Sequence, residues 1–341
     1  MASGLMSAAV MTAPGQPMRL ACLPVPEAGP GEILVRLQAC GVCHTDVHIW
    51  DGSVVPPHEA RPSILGHEGV GTVVALGAGV TGWNVGDSAG VPWLHDTCGL
   101  CDECVSGAES FCQHQRAHGL QVPGAFAEYV VANARYAVPL QRDVDPLRMA
   151  PVMCAGVTAY GAIRRAQVRS GETVAIFGCG GLGLYAVQIA ARQGARVIAV
   201  DRDPAKLARA SMLGASAAFL ADGTLNAAFD ADHRAHACIN FAPTTATWSA
   251  MVAAVRPRGR IVAAAMVSQD VPLNQEWLTA TGVCITGTSV GTRGEMQETV
   301  AMHVDDPLRS EIVPIKLGDV TEALQSLAEG RAVGRFVIDF R

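Results

Sequence analysis

Four cysteines lie close together at Cys98, Cys101, Cys104 and Cys112, spaced C-x2-C-x2-C-x7-C, with Gly99 and Gly107 supplying bends. Four thiolates so placed can close a tetrahedral shell on Zn²⁺ and leave no open position. Short cysteine spacings also hold iron–sulfur clusters. Against that, no proline follows Cys112 directly and no second cysteine group is present. The segment CGLCDECVSGAESFC is poor in apolar residues, so metal affinity there would supply folding energy. Its expected role is structural.

A second set of ligand-type residues is more scattered. Cys43-His44-Thr45-Asp46-Val47-His48 and Gly66-His67-Glu68-Gly69 are polar clusters in otherwise apolar surroundings. Taken singly, His67 reads equally well as an ordinary turn histidine. Asp46 reads as a helix cap or as a carboxylate orienting a ligand.

A third motif is Gly178-Cys179-Gly180-Gly181-Leu182-Gly183, between the strand-like ETVAIF and a helical pattern over Leu182–Gln193. Such a loop brings backbone N–H groups to a pyrophosphate, whose charge is favoured at a helix N-terminus. Asp201 ends the next strand-like run, ARVIAV, 18 positions beyond Gly183. A carboxylate there accepts both ribose hydroxyls and repels a 2′-phosphate, which favours NAD over NADP. The neighbouring Arg202 guanidinium tempers that preference.

These motifs need elements to hold them. Half of the 341 residues are apolar and 16% are charged, enough for large cores, and the length suggests two domains. Short β-branched runs, Glu32–Leu37, Gly69–Ala75 and Ala127–Val131, are separated by turn residues, which predicts an antiparallel, loop-rich β domain over the first 150 residues. From Glu172 strand-like runs alternate with helical patterns, which predicts a parallel, doubly wound sheet. Asp203 as N-cap, Pro204 as first helical residue and Gly214 beyond the last turn bound one of those helices. Further strands are expected at Ala237–Phe241, Arg260–Ala264, Gly282–Thr286 and Arg335–Phe340. Periodicity alone does not reveal whether the C-terminal segment packs on the first domain.

The net charge of −6 gives no reason to expect nucleic acid or an anionic membrane as partner. No apolar run approaches the roughly 20 residues that span a bilayer. Met1–Pro14 lacks a basic region followed by a sustained apolar one, so no secretion signal is expected. Met6 offers a second candidate start. Eleven cysteines without an export signal suggest a reducing, cytoplasmic setting. Cys22, Cys40, Cys179, Cys238 and Cys284 are expected to be buried thiols.

The stretches GVCHTDVHIWDG (41–52), LGHEGVGTV (65–73), GVPWL (90–94), the four-cysteine lobe, APVMCAGVTAY (150–160), GCGGLG and GRFVIDF (334–340) resemble the zinc-dependent medium-chain alcohol dehydrogenases, in particular their shorter, microbial, usually tetrameric branch. The resemblance runs in order over essentially the whole chain. It implies an α/β protein. A GroES-like β-rich catalytic domain (1–152 and 287–341) is interrupted by a Rossmann NAD-binding domain (153–286), with the active-site cleft between them. It also implies one catalytic and one structural Zn²⁺ per chain, NAD as cofactor, a small alcohol or aldehyde as substrate, and a homotetramer.

By that resemblance Cys43, His67 and Cys154 hold the catalytic zinc, a Cys₂His set that leaves one position open. Glu68 stands beside the metal, and Asp46 orients the site. Thr45 and His48 form a proton relay by way of the cofactor ribose. His44 and Arg335 match contacts to the pyrophosphate, the glycine loop with Leu182 its cradle, and Asp201 and Lys206 the adenosine ribose. Trp93 follows the family pattern for the substrate pocket. Val54 and Ser289 stand where small-alcohol members often carry bulky aromatics, which suggests room for medium-chain or aromatic primary alcohols such as benzyl alcohol. Ala265 and Val267 also depart from the pattern, where Gly and Pro are common. Polyol dehydrogenases commonly replace the third thiolate with a carboxylate, and cinnamyl-type enzymes usually lack the acid after the second strand. Zinc-free quinone reductases lack both metal sets. A non-catalytic zinc and nucleotide binder would account for the cysteine lobe and glycine loop but not for the Cys43 and His67 clusters.

Overall fold

The computed structural model describes residues 4–56, 63–222, 229 and 234–341. The chain forms two compact units. One runs to Ala155 and resumes at Thr292; the other is Gly156–Gly291. The unit boundaries fall three to five residues beyond 152/153 and 286/287, which keeps Cys154 in the first unit and assigns Ser289 to the second.

In the first unit a seven-stranded sheet is built around Glu32–Gly41. This strand pairs antiparallel with Glu68–Leu76, with Tyr129–Asn133 and, at its far end, with Arg335–Asp339. The last pairing returns the C-terminus to the first domain, the link that periodicity could not reveal. Alternation along the strand buries Ile33, Val35 and Leu37 with Phe126, Leu65 and Ile49. Each such side chain contributes about 1.5–3 kcal/mol on burial. The expected strand at Ala127 begins two residues later, at Tyr129. Gly41 lies opposite Glu68 in the sheet, where a Cβ would come 1.9 Å from a Glu68 carboxylate oxygen.

Helix His44–Trp50 follows that strand directly. Seven residues make a marginal helix in isolation. It is held by its cap, Cys43 N–H donating to Asp46 Oδ2 at 2.9 Å, and by packing against helix Val320–Ala328. Cys154 follows the 3-10 turn Ala150–Met153, all of whose residues are buried on the same sheet.

The second unit is a six-stranded parallel sheet in the order Ala217–Leu220, Arg196–Asp201, Thr173–Phe177, Ala235–Asn240, Val255–Ala263, Cys284–Gly287. The chain winds one way from Thr173–Phe177 and then crosses to its other side. That reversal puts the topological switch point, where such sheets take ligands, at the carboxyl end of Thr173–Phe177. Asp203 caps helix Pro204–Met212 by accepting from Ala205 N–H at 2.8 Å. Cys40, Cys179 and Cys238 are buried, but Cys22 and Cys284 are exposed, since each points outward from a strand with one solvated face. None of the eleven cysteines is in a disulfide.

Candidate active site and metal centres

Cys43 caps the helix that follows the central strand, His67 ends the turn before Glu68–Leu76, and Cys154 follows the buried 3-10 turn. Three distant segments thereby bring their ligand atoms together, and with Glu68 these atoms lie within 4.8 Å of one another. The sulfurs of Cys43 and Cys154 are 3.9 Å apart. Two thiolates on a tetrahedral Zn²⁺ at about 2.3 Å would stand about 3.8 Å apart. His67 Nε2 is buried and has no hydrogen-bond partner among the described residues. A buried ring nitrogen without a partner is costly unless something coordinates it. The donor set fits a zinc ion.

Asp46 fixes this arrangement and is itself fully buried. Its Oδ2 accepts from Cys43 N–H, and its Oδ1 from Gly66 N–H at 3.1 Å and from His67 Nδ1 at 3.1 Å. The carboxylate thus assigns the proton to Nδ1 and turns Nε2 inward. It joins the two ligand-bearing segments.

The electrostatics suit a cation. The hydrogen bond from Cys154 holds the Cys43 thiol well below its usual range, and the same bond raises Cys154. Burial pushes Glu68 up to about 7 against the pull of Arg335. Arg335 is only 5% exposed, and one terminal nitrogen donates to both Glu68 oxygens. The strand pairing that returns the C-terminus carries it inside. Its guanidinium is committed to Glu68, 267 positions away in sequence, a pairing that no local motif could signal.

Thr45 Oγ1 accepts from Cys43 Sγ at 3.8 Å. His44 and His48 are half-buried, their rings edge-on at 5.0 Å. Burial, then His48, lowers His44. Trp93 stands edge-on to His67, ring centroids 5.0 Å apart. Val54 is half-buried against the core of the first unit.

The four cysteines of the lobe also meet. Cys98–Cys104, Cys101–Cys104 and Cys98–Cys112 sulfur distances are 3.9, 3.5 and 3.6 Å, again those of a tetrahedral shell. Leu100 and Val105 are exposed, so the lobe has little apolar core. Glu109 anchors it by accepting from Arg293 N–H at 2.8 Å.

In the second unit, Gly178 has φ +89°, and a Cβ there would lie 2.6 Å from Ala242 N; a Cβ on Gly183 would meet Gly178 O at 1.8 Å. These two glycines are required by the protein's own packing. Gly180 is different: a Cβ there would meet nothing within 4 Å. Its missing side chain leaves an open cradle at the N-terminus of helix Gly181–Arg192, which Leu182 also begins. Asp201, 8% exposed, accepts from Cys179 N–H at 2.6 Å and Asp203 N–H at 3.0 Å, so its carboxylate faces the same loop. Lys206 is half-exposed on the following helix.

Residues 29–142 match the alcohol dehydrogenase GroES-like domain, and 181–305 match the zinc-binding dehydrogenase domain. An alcohol dehydrogenase of Moraxella sp. (strain TAE123) is 37% identical over 98% of this chain and 99% of its own. The chain belongs to the zinc-dependent medium-chain alcohol dehydrogenases. An alcohol dehydrogenase of Geobacillus stearothermophilus is likewise 37% identical, over 93% of this chain and 94% of its own. Among solved structures, acetophenone reductase from Geotrichum candidum in complex with NAD superimposes with a TM-score of 0.89 at 28% identity, covering 99% of this chain and 98% of that one. The match to a zinc-binding dehydrogenase domain makes the protein a zinc-dependent oxidoreductase.

Proposed function

We propose that the protein oxidises primary alcohols of medium length, or aromatic ones, to aldehydes with NAD, and catalyses the reverse reduction. The observation that carries this is the Cys43–Cys154 sulfur pair at 3.9 Å beside the unpartnered Nε2 of His67. Cys43, His67 and Cys154 hold one zinc; Cys98, Cys101, Cys104 and Cys112 hold the other. When bound, zinc supplies Lewis acidity toward the substrate oxygen, and the nicotinamide takes or returns the hydride.

The chain's own residues do the rest. Asp46 keeps Cys43 and His67 in register. Cys43 and Cys154, each 4% exposed, and fully buried His67 keep water from the substrate oxygen. The Thr45 hydroxyl accepts the alcohol proton as it gives up its own, and His48, three positions on and so on the same helix face, takes that proton toward solvent. Glu68, held near neutrality in pKa and paired with Arg335, stands by the metal as an alternative ligand. His44, the Gly178–Gly183 loop with Leu182, Asp201 and Lys206 bind the cofactor. Arg335 acts toward it only by release from Glu68. Trp93 and Val54, both in the first unit, are assigned to the substrate pocket, and the small side chain of Val54 supports larger alcohols than ethanol.

A homotetramer is proposed from the family branch that the motifs resemble. A cytoplasmic setting is proposed from the eleven cysteines, none of which is in a disulfide. Among the described residues no helix is long and apolar enough to cross a membrane. The test is reduced-nicotinamide absorbance with a panel of primary, secondary and aromatic alcohols, alongside metal analysis. Two zincs per chain with alcohol-dependent NADH formation is the expected result; one zinc and no turnover would point to a non-catalytic binder.

A further inference from the structure

We propose that His118 is a positioning residue that sets the pose of Trp93 and, through it, discrimination between small and bulky alcohols. The proposal rests on the reading of Trp93 as a pocket wall.

His118 is 1% exposed and lies outside both metal clusters. Its backbone N–H donates to Trp93 O at 2.9 Å, and its Nδ1 lies 2.8 Å from Pro92 O. One residue therefore fastens two successive carbonyls of the segment that presents the Trp93 ring to His67. The other ring nitrogen, Nε2, is 3.3 Å from Val131 O. A neutral imidazole carries one N–H and can satisfy one of these carbonyls. The shorter contact assigns the proton to Nδ1 and the bond to Pro92 O. Burial keeps the ring neutral, pushing it down to about 3. The ring also stands edge-on to His95, centroids 5.1 Å apart.

The loop that carries His118 is also tied to the metal ligand. Gly124 N–H donates to Ile64 O at 2.7 Å, Phe126 N–H to Leu65 O at 2.8 Å and Ala125 N–H to Gly66 O at 2.9 Å, the three residues before His67. The segment 118–126 thus bridges the backbone of Trp93 and the backbone of His67. The edge-on ring contact between those two residues is set from behind by this bridge. Removing the Nδ1 donor leaves Pro92 O buried without its bond, and the segment gains freedom to relax at Trp93.

The experiment compares kcat/KM for benzyl alcohol with that for ethanol in the zinc-loaded enzyme. In His118→Leu the benzyl-to-ethanol ratio is expected to move by about fivefold, carried by KM, with zinc content and NADH affinity unchanged. His118→Asn, whose amide N–H occupies the Nδ1 position, is expected to hold the ratio within about twofold. His118→Gln places its amide at Nε2 and is expected to move the ratio as leucine does, which keeps the test open if the leucine variant does not fold. A ratio unchanged in His118→Leu or His118→Gln, or both alcohols slowed by one common factor, overturns the proposal. Trp93→Ala separates the underlying reading. If its ratio moves while the His118 variants stay put, only the role of His118 fails. If its ratio also stays put, the pocket wall itself is misassigned.

Discussion

Asp46→Asn isolates the joint between the two ligand-bearing segments. The carboxylate makes three bonds, to Cys43 N–H at 2.9 Å and to Gly66 N–H and His67 Nδ1 at 3.1 Å each. An amide has one acceptor oxygen. If that oxygen stays on Gly66 and His67, the NH₂ group confronts the Cys43 N–H, donor against donor. The lost bond to a charged acceptor costs about 1.5–3 kcal/mol. Partners that orient metal ligands are typically worth about 10–100-fold in metal affinity, which is about 1.4–2.7 kcal/mol at 1.36 per decade. The two routes give the same magnitude. The assay is chelator competition on the zinc-loaded enzyme, with the lobe zinc as internal reference. One ion should leave at a chelator concentration lower by one to two decades, about 10–100-fold, and kcat should fall with it, while the other ion is unmoved. A variant that holds both ions as tightly as the parent would refute the reasoning, as would one that loosens both equally.

Other outcomes follow from single contacts. Gly178→Ala should destabilise the second unit by about 1–3 kcal/mol, because φ is +89° and Ala242 N is in the way, whereas Gly180→Ala should leave the denaturation midpoint unchanged and weaken NADH binding. Fluorescence titration and thermal melts on both variants separate the two effects. Cys98→Ser should lose the lobe zinc and lower the melting temperature while the catalytic zinc stays; a variant melting like the parent would show that metal is not what orders the lobe. His118 supplies a pH test. Its folded pKa is depressed to about 3 against about 6.5 when unfolded, so the unfolded chain alone gains a proton as pH falls. Stability is therefore intact above about 6.5 and declines below it by about 1.4 kcal/mol per pH unit. Urea midpoints from pH 7.5 to 5 should show that slope relative to His118→Asn, and parallel curves would contradict the buried neutral ring.

What could be read from the chain depended on how local each feature is. The four-cysteine lobe and the glycine loop are contiguous, so their spacing carries their geometry. Helix Pro204–Met212 announces itself by its ends, since Asp203–Pro204 needs only neighbouring residues. The three-ligand site is different: Cys43, His67 and Cys154 meet because strand register aligns Gly41 with Glu68 and because the turn before Cys154 is buried on the same sheet. Only the family resemblance joined them beforehand. The burial of Arg335 and its pairing with Glu68 follow from the C-terminal strand pairing with Glu32–Gly41, a non-local event that no local motif signals. Cys22 and Cys284 were misjudged because composition does not reveal which face of a strand meets water. His118 lies in the unpatterned run AHGLQVPG, and its bonds all reach distant backbone carbonyls, so no spacing marks it.

The central claim is that Cys43, His67 and Cys154 hold the zinc on which turnover depends. The most direct measurement is zinc stoichiometry and single-turnover NADH formation in Cys154→Ala, with NADH binding measured on the same sample. One zinc per chain, retained NADH binding and no turnover is the predicted result. Two zincs with a near-normal kcat would contradict it.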